Sequence, residues 1–392
     1  MGALQQIIRH GFSRLTAARA HIAPHRRRAL ERISICRTSA LGGHIQECPD
    51  GHMEKVWYNS CRERSCPECN FTSVERWLDK QKARLINCDY YHIIFTIPHE
   101  LIPLWLVNVA AFNNLICHAI RDTLFQLLHD PKHLGGEPGL IIGLHTWGQT
   151  VNVHPHGHCL VTGGGMTPVG DWRAITNGYL LPGRVVRDLF RGKLCDMLRQ
   201  ETEKEHLIMP EGVRQQQILN LLNKLGRKKW NVCIRERYAH GRGVVTYLGR
   251  YLRGGPISNK RIVAWDDNTV KFRFKDYKAA EDGGKKHQEM ELPVDDFLQR
   301  LMRHVPEPRR NMVRSYGLYA GRRRQDLDRC REQVGQEPVP KVPDRDWQEI
   351  LAKFDDNNYG RCPVCGARLV LRSLIKPEFK GRATKFPLTE AA

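Results

Sequence analysis

With 392 residues and 41% hydrophobic content, the chain is long enough for two or three domains with at least one sizeable core, which excludes a disordered protein. Lys and Arg outnumber Asp and Glu by 62 to 42, and the formal charge of +20 favours a polyanionic partner, nucleic acid first. Thirteen cysteines, an odd count with two Cys-Pro-x-Cys pairs, argue against a secreted disulfide framework and for metal binding in a reducing cytoplasm.

Residues 1–35 read as a basic helical lead-in that includes His25-Arg26-Arg27-Arg28. The N-terminal stretch has no long apolar core or small-residue cleavage site, so it does not read as a secretory signal. Residues 36–80 hold five cysteines within 34 residues, the pattern of a small metal-stapled module, and an amphipathic helix leaves it from Val74. Tyr90 to Pro98 is a β-branched, aromatic run that reads as a strand, followed by a helix-rich stretch to about His129. The most apolar segment, Leu101 to Ile120, is interrupted by Pro103 and three asparagines, which argues against a membrane span. Two strands are expected in LIIGLHTW and QTVNVHPHGHCLVTGGG, with Gly163-Gly164-Gly165 forcing a turn after the second. Further on, 184–226 is largely helical, Trp230 to Tyr238 is a strand, and Val244 to Leu252 is a helix stopped by Arg253-Gly254-Gly255-Pro256. A hairpin is expected around Asp267-Asn268 and a helix over DDFLQRLMRHV. Residues 326–392 read as a Pro-rich, charged tail ending in the half-site Cys362-Pro363-Val364-Cys365.

Three constellations carry chemistry. His156 and His158 stand two apart in an extended run, so both imidazoles point to one face and can hold a divalent cation with positions left open for substrate oxygens. A third ligand stays open among His154, His145 and Gln149. Tyr247 and Tyr251 stand four apart, on one face of a helix. A phenol with a pKa of about 10 attacks a phosphate only when a cation polarises that phosphate or a base takes the proton. Arg250 and Arg253 beside them are candidates to hold DNA phosphates. Each motif alone also fits an ordinary core, and the context has to decide. For zinc, which takes four sulfur or nitrogen ligands, the expected set is Cys48, Cys61, Cys66 and Cys69, with His52 or Cys36 as substitutes. Cys362 and Cys365 form only half a site, and Cys330 is the nearest other thiol in sequence. Cys88, Cys117, Cys159, Cys195 and Cys233 lie in apolar segments and are expected in the core. The basic runs Arg227-Lys228-Lys229 and Arg322-Arg323-Arg324 are read either as phosphate contacts or as solvated loops.

The series from the cysteine module through HIIFTIPHEL, LHTWGQ, HPHGHCLVTGGG, YLGRYLRGGPISNKRI and FKDYK to RSYGLYAGR, over residues 36–325, resembles the transposases of the insertion sequence 91 family. The resemblance implies an α+β protein with an HUH endonuclease fold at 85–325, an antiparallel sheet with flanking helices, preceded by a small zinc-binding domain at 36–80. It matches His156 and His158 to the metal-binding pair on the central strand, and Tyr247 and Tyr251 to the nucleophiles on a facing helix. The implied activity is rolling-circle DNA transposition: nicking and rejoining of single-stranded DNA at element ends through a 5′-phosphotyrosine, with the second tyrosine permitting another strand transfer. Implied cofactors are catalytic Mg2+ or Mn2+ and structural Zn2+. Implied partners are single-stranded DNA at transposon ends and target site, and host replication proteins, with no membrane.

Two residues depart from the family pattern. Gly157 stands where a bulky hydrophobic residue is usual, which weakens strand propensity between the histidines. Gly51 stands where a second cysteine usually follows Cys48, leaving either His52 or Cys61 to complete the zinc set. The competing readings are a plasmid replication initiator or relaxase with the same chemistry, a non-catalytic zinc-dependent DNA-binding protein, and a metallohydrolase that activates water.

Overall fold

The computed structural model describes residues 2–17, 22–238, 243, 245, 249, 255–277, 279, 284–351 and 360–378. The expected helix over 244–252 therefore lies outside the described residues, apart from Val245 and Gly249. The chain opens with α1 (Ala3–Ala17), α2 (Pro24–Ser34), β1 (Gly43–Glu47), β2 (Glu54–Tyr58) and α3 (Phe71–Arg84). A longer series follows: β3 (Tyr90–Thr96), α4 (Ile102–Val107), α5 (Val109–His129), β4 (Glu137–Trp147), β5 (Val153–Met166), β6 (Trp172–Ala174), α6 (Gly183–Glu203), α7 (Gln215–Leu225) and β7 (Asn231–Tyr238). The last described elements are β8 (Ile262–Trp265), β9 (Thr269–Lys275), β10 (His287–Pro293), α8 (Val294–Arg303), β11 (Val313–Gly317), α9 (Arg324–Gln333), α10 (Trp347–Leu351) and β12 (Val370–Ile375). Among the described residues, no helix is long and apolar enough to cross a membrane.

The chain forms two compact units, both interleaved in sequence: 1–73 with 253–305 and 344–392, and 74–252 with 306–343. In the first unit, β12, β1 and β2 make one antiparallel sheet and β10, β9 and β8 another. The β8–β9 hairpin turns where the sequence suggests, because the Asp266 carboxylate accepts the N–H groups of both Asn268 and Thr269 at 2.7 Å. Helix α1 lies on α8, with Gly11 admitting the Leu298 side chain, and the Asn259 side chain accepts the N–H of Leu4 at 2.9 Å.

The second unit is an antiparallel sheet in the order β11-β4-β5-β3-β7, with β6 added to the end of β5, so β5 is central. Its strands present alternate residues to two cores. Ile93, Phe95, Ile142, Leu144, Cys159 and Val161 face a core filled by α5 and α6 through Phe112, Ile120 and Phe190. Tyr90, Ile141 and Leu160 face the opposite core, with Val74, Leu78, Leu318 and Tyr319. The sheet flanked by helices makes the protein α+β.

Three expectations change. Strand β5 runs through Gly163-Gly164-Gly165 to Met166, and the turn comes at Thr167 to Gly170, where Gly170 takes φ +94°. The three glycines serve close approach instead: a Cβ there would strike the Asp89 backbone, the Trp172 ring and the Glu137 backbone respectively. Gly157 does not interrupt the strand, because the space its Cβ would take is filled by Ile120 of α5. Within 326–392, read from sequence as a Pro-rich, charged tail, the described residues include most of α9 in the second unit and β12 in the first unit's sheet. Gly317, at φ +59° with the Pro138 carbonyl inside van der Waals range of an added Cβ, is a sharper constraint. Gly317→Ala is expected to lower the stability of the second unit by about 2–4 kcal/mol, read as a shifted denaturation midpoint.

Candidate metal and catalytic sites

Cys36 follows α2, and Cys61, Cys66 and Cys69 lie in the loop before α3. Their sulfurs converge: Cys61 Sγ is 3.5 Å from Cys69 Sγ, Cys36 Sγ is 3.7 Å from Cys66 Sγ, and all four are buried. A tetrahedral zinc with Zn–S of about 2.3 Å needs S···S near ~3.8 Å, so the donor set fits the ion in type, number and spacing. The four thiols resist joint ionisation on their own. Hydrogen bonds from Cys36, Cys61 and Cys66 hold Cys69 well below its ordinary pKa, whereas the contact with Cys36 pushes Cys61 and Cys66 upward. A divalent cation removes that conflict by stabilising all four thiolates.

The structure places Cys36, not the expected Cys48, beside Cys61, Cys66 and Cys69. The β1–β2 hairpin explains the grouping, since Cys36 and Cys61 flank its Gly43/Tyr58 end while Cys48 follows Glu47 at the other end. There Cys48 joins His52, Cys362 and Cys365, with all four ligand atoms within 4.8 Å of one another. Cys330 is instead buried in the second unit's core. Cys61→Ser is expected to remove the zinc of the four-cysteine group and most of the roughly 10 kcal/mol such a site contributes. The measurements are metal content and thermal unfolding.

In the second unit, β5 carries His156 and His158 on the same face as Leu160, and β4 sets His145 directly across from His156. Ligand nitrogens of His145, His156 and His158 lie within 4.8 Å of one another. His145 is thus the residue that the fold brings to the pair. Gln149 sits in the Gly148–Asn152 turn, and His154 contributes its backbone carbonyl, which accepts the Nδ1–H of His156 at 2.6 Å and leaves Nε2 as the available lone pair. His92 on β3, which sequence reasoning missed, has its Nε2 2.9 Å from Nδ1 of His158 and fixes that ring in the same way. The β-strand parity of YYHIIFT was its only signal, and that parity has meaning only once β3 is known to neighbour β5. Burial pushes His156 and His92 down to about 4 and His145 and His158 well below the usual histidine range. All four imidazoles are therefore neutral at pH 7, the form that ligates a metal.

Tyr247, Tyr251, Arg250 and Arg253 lie outside the described residues. Their described neighbours Val245 and Gly249 are helical; Val245 is fully buried with Leu160 and Tyr90, and Gly249 lies against Leu78 of α3. The packing of Val245 is thus against the sheet face that carries the histidines. The two basic runs are partly tied down. Lys228 pairs with Glu100 at 2.5 Å, Arg323 with Glu137 at 3.0 Å and with Asp326, and Arg324 with Asp328 at 2.8 Å. The five cysteines expected in the core are buried or half-buried.

Comparison with known proteins bears directly on these sites. The family described as "Transposase zinc-binding domain" matches residues 7–97, and one described as "Putative transposase" matches 139–326. The "Putative transposase y4qJ" of Sinorhizobium fredii is 33% identical over 358 residues, 89% of each chain. The chain belongs to the insertion sequence 91 family of transposases. Another relative of this transposase, the "Transposase for insertion sequence element IS801" of Pseudomonas savastanoi pv. phaseolicola, is 30% identical over 353 residues, 87% of this chain and 82% of that protein. No solved structure matches it. Family membership makes the transposase a DNA-cleaving and DNA-joining enzyme with a structural zinc module, and the four-cysteine group falls inside the matched zinc-binding region.

Proposed function

We propose that this transposase is an HUH-type, rolling-circle enzyme that nicks and rejoins single-stranded DNA at element ends through a 5′-phosphotyrosine. The observation that carries this reading is the convergence of His145, His156 and His158 across neighbouring antiparallel strands, on the face where Val245 packs. Three neutral imidazoles form an open donor set for a divalent ion, taken here as Mg2+ or Mn2+, and leave coordination positions for phosphate oxygens, which such hard cations prefer. The ion, when bound, supplies Lewis-acid polarisation of the scissile phosphate.

The chain's own groups do the rest. His145, His156 and His158 bind, His92 orients His158, and the His154 carbonyl orients His156. Tyr247 or Tyr251 is the nucleophile: its phenolic oxygen forms a bond to phosphorus, the bond to the 3′ oxygen breaks, and the phenolic proton leaves to solvent or to the released 3′ oxygen. The reverse attack by a 3′-hydroxyl rejoins DNA without an external energy source. Arg250 and Arg253 hold flanking phosphates, and the zinc-binding domain at 36–80 engages the element end, with 85–325 as the catalytic domain. Host replication proteins extend the released 3′ end, and the work is done in the cytoplasm.

The test is a labelled single-stranded oligonucleotide carrying an element end, incubated with Mn2+ and run on a denaturing gel. A covalent protein–DNA band that disappears with chelator is the expected result; cleavage without any adduct would refute the tyrosine mechanism. His92→Ala should weaken Mn2+ binding about 10–100-fold, measured by titration calorimetry, while leaving zinc content unchanged.

A further inference from the structure

Residues Cys362 and Cys365 lie beyond both matched family regions, and they meet the N-terminal module at Cys48 and His52. We propose that Cys48, His52, Cys362 and Cys365 form a second zinc site, a ribbon closed between two hairpin tips that lie more than 300 residues apart in sequence.

The two tips are built alike. Cys48 donates its N–H to the Met53 carbonyl at 2.9 Å, and the N–H of Gly51 returns to the Cys48 carbonyl at 2.9 Å, with Gly51 at φ +75°. Cys362 donates to the Ala367 carbonyl at 2.8 Å, and the N–H of Gly366 returns to the Cys362 carbonyl at 2.9 Å, with Gly366 at φ +74°. Each turn therefore bends the backbone sharply just beyond its first cysteine and aims ligands at a common point. The sheet brings those points together: Glu47 of β1 is paired with Glu54 of β2 on one side and with Val370 of β12 on the other.

Distances and chemistry fit one ion. Cys48 Sγ is 3.4 Å from Cys365 Sγ and 3.5 Å from Nδ1 of His52, close to the edges of a zinc tetrahedron with three sulfurs and one nitrogen. Cys48 and Cys362 are buried on Leu369 and against Met53, a miniature core too small to hold the tips by apolar contact alone. Three thiolates and an imidazole select Zn2+ over Mg2+ or Mn2+. Here Gly51 cannot ligate, and His52 supplies the fourth donor from the next position.

Metal content of the purified full-length chain tests this independently of transposition. Two zinc ions per chain are expected, falling to one in Cys362→Ser with Cys365→Ser and to one, of the other kind, in Cys61→Ser. Since a serine variant can fail to fold, Cys365→His provides the control: it should keep two metals, while in the Co2+-substituted protein the sulfur-to-metal charge-transfer absorption drops by about one thiolate in seven. One zinc per wild-type chain, or two in the double serine variant, would overturn the assignment.

Discussion

Replacing Tyr247 and Tyr251 together with Phe is expected to abolish the covalent protein–DNA band, a loss of at least about 10³-fold in single-strand cleavage. Two hydroxyls are removed and nothing else: the rings keep their apolar bulk, and the net charge of +20 that attracts DNA is unchanged. DNA affinity measured at fixed salt should therefore hold within about twofold. Each single variant should still nick while failing at the second strand transfer. Cleavage that survived in the double variant would assign the chemistry to a metal-activated water and sink the phosphotyrosine reading.

His156→Ala with His158→Ala should lower cleavage by about 10²–10⁴-fold at saturating Mn2+. The reasoning is local. Both rings sit on β5 at the sheet centre, and removing them leaves His145 alone on β4, one ligand where three converged. A single neutral imidazole cannot hold Mg2+ or Mn2+ at millimolar concentration against water. Zinc content should stay the same, because the cysteine groups belong to the other unit. Full cleavage at the same Mn2+ concentration would remove the histidine cluster from the mechanism.

Much of this was legible in the residues, and the failures have identifiable causes. The alternation in HPHGH placed His156 and His158 on one face, and the register then supplied His145 from β4. His92 stayed hidden because its strand is adjacent to β5 only through long-range pairing. Spacing along the chain favours Cys48 over Cys36 because it says nothing about which end of a hairpin a residue reaches. Gly163-Gly164-Gly165 looked like a turn because glycine's permissive backbone is visible in sequence, whereas a neighbouring tryptophan or carbonyl that forbids a Cβ is not. Strand β12 was missed for a related reason: its residues are mostly exposed, so no burial pattern marks them, and its pairing partner β1 stands at the opposite end of the sequence.

That pairing bears on how the protein is made. While the ribosome is still synthesising the intervening 300 or so residues, β1 has β2 on one side and a bare row of amide and carbonyl groups on the other. A nascent chain in this state exposes a docking edge for any other extended strand, including one from a sister polypeptide on the same message. A chain cut before Val370 would leave that edge open and be prone to aggregate, because it lacks the strand that pairs with this side of β1.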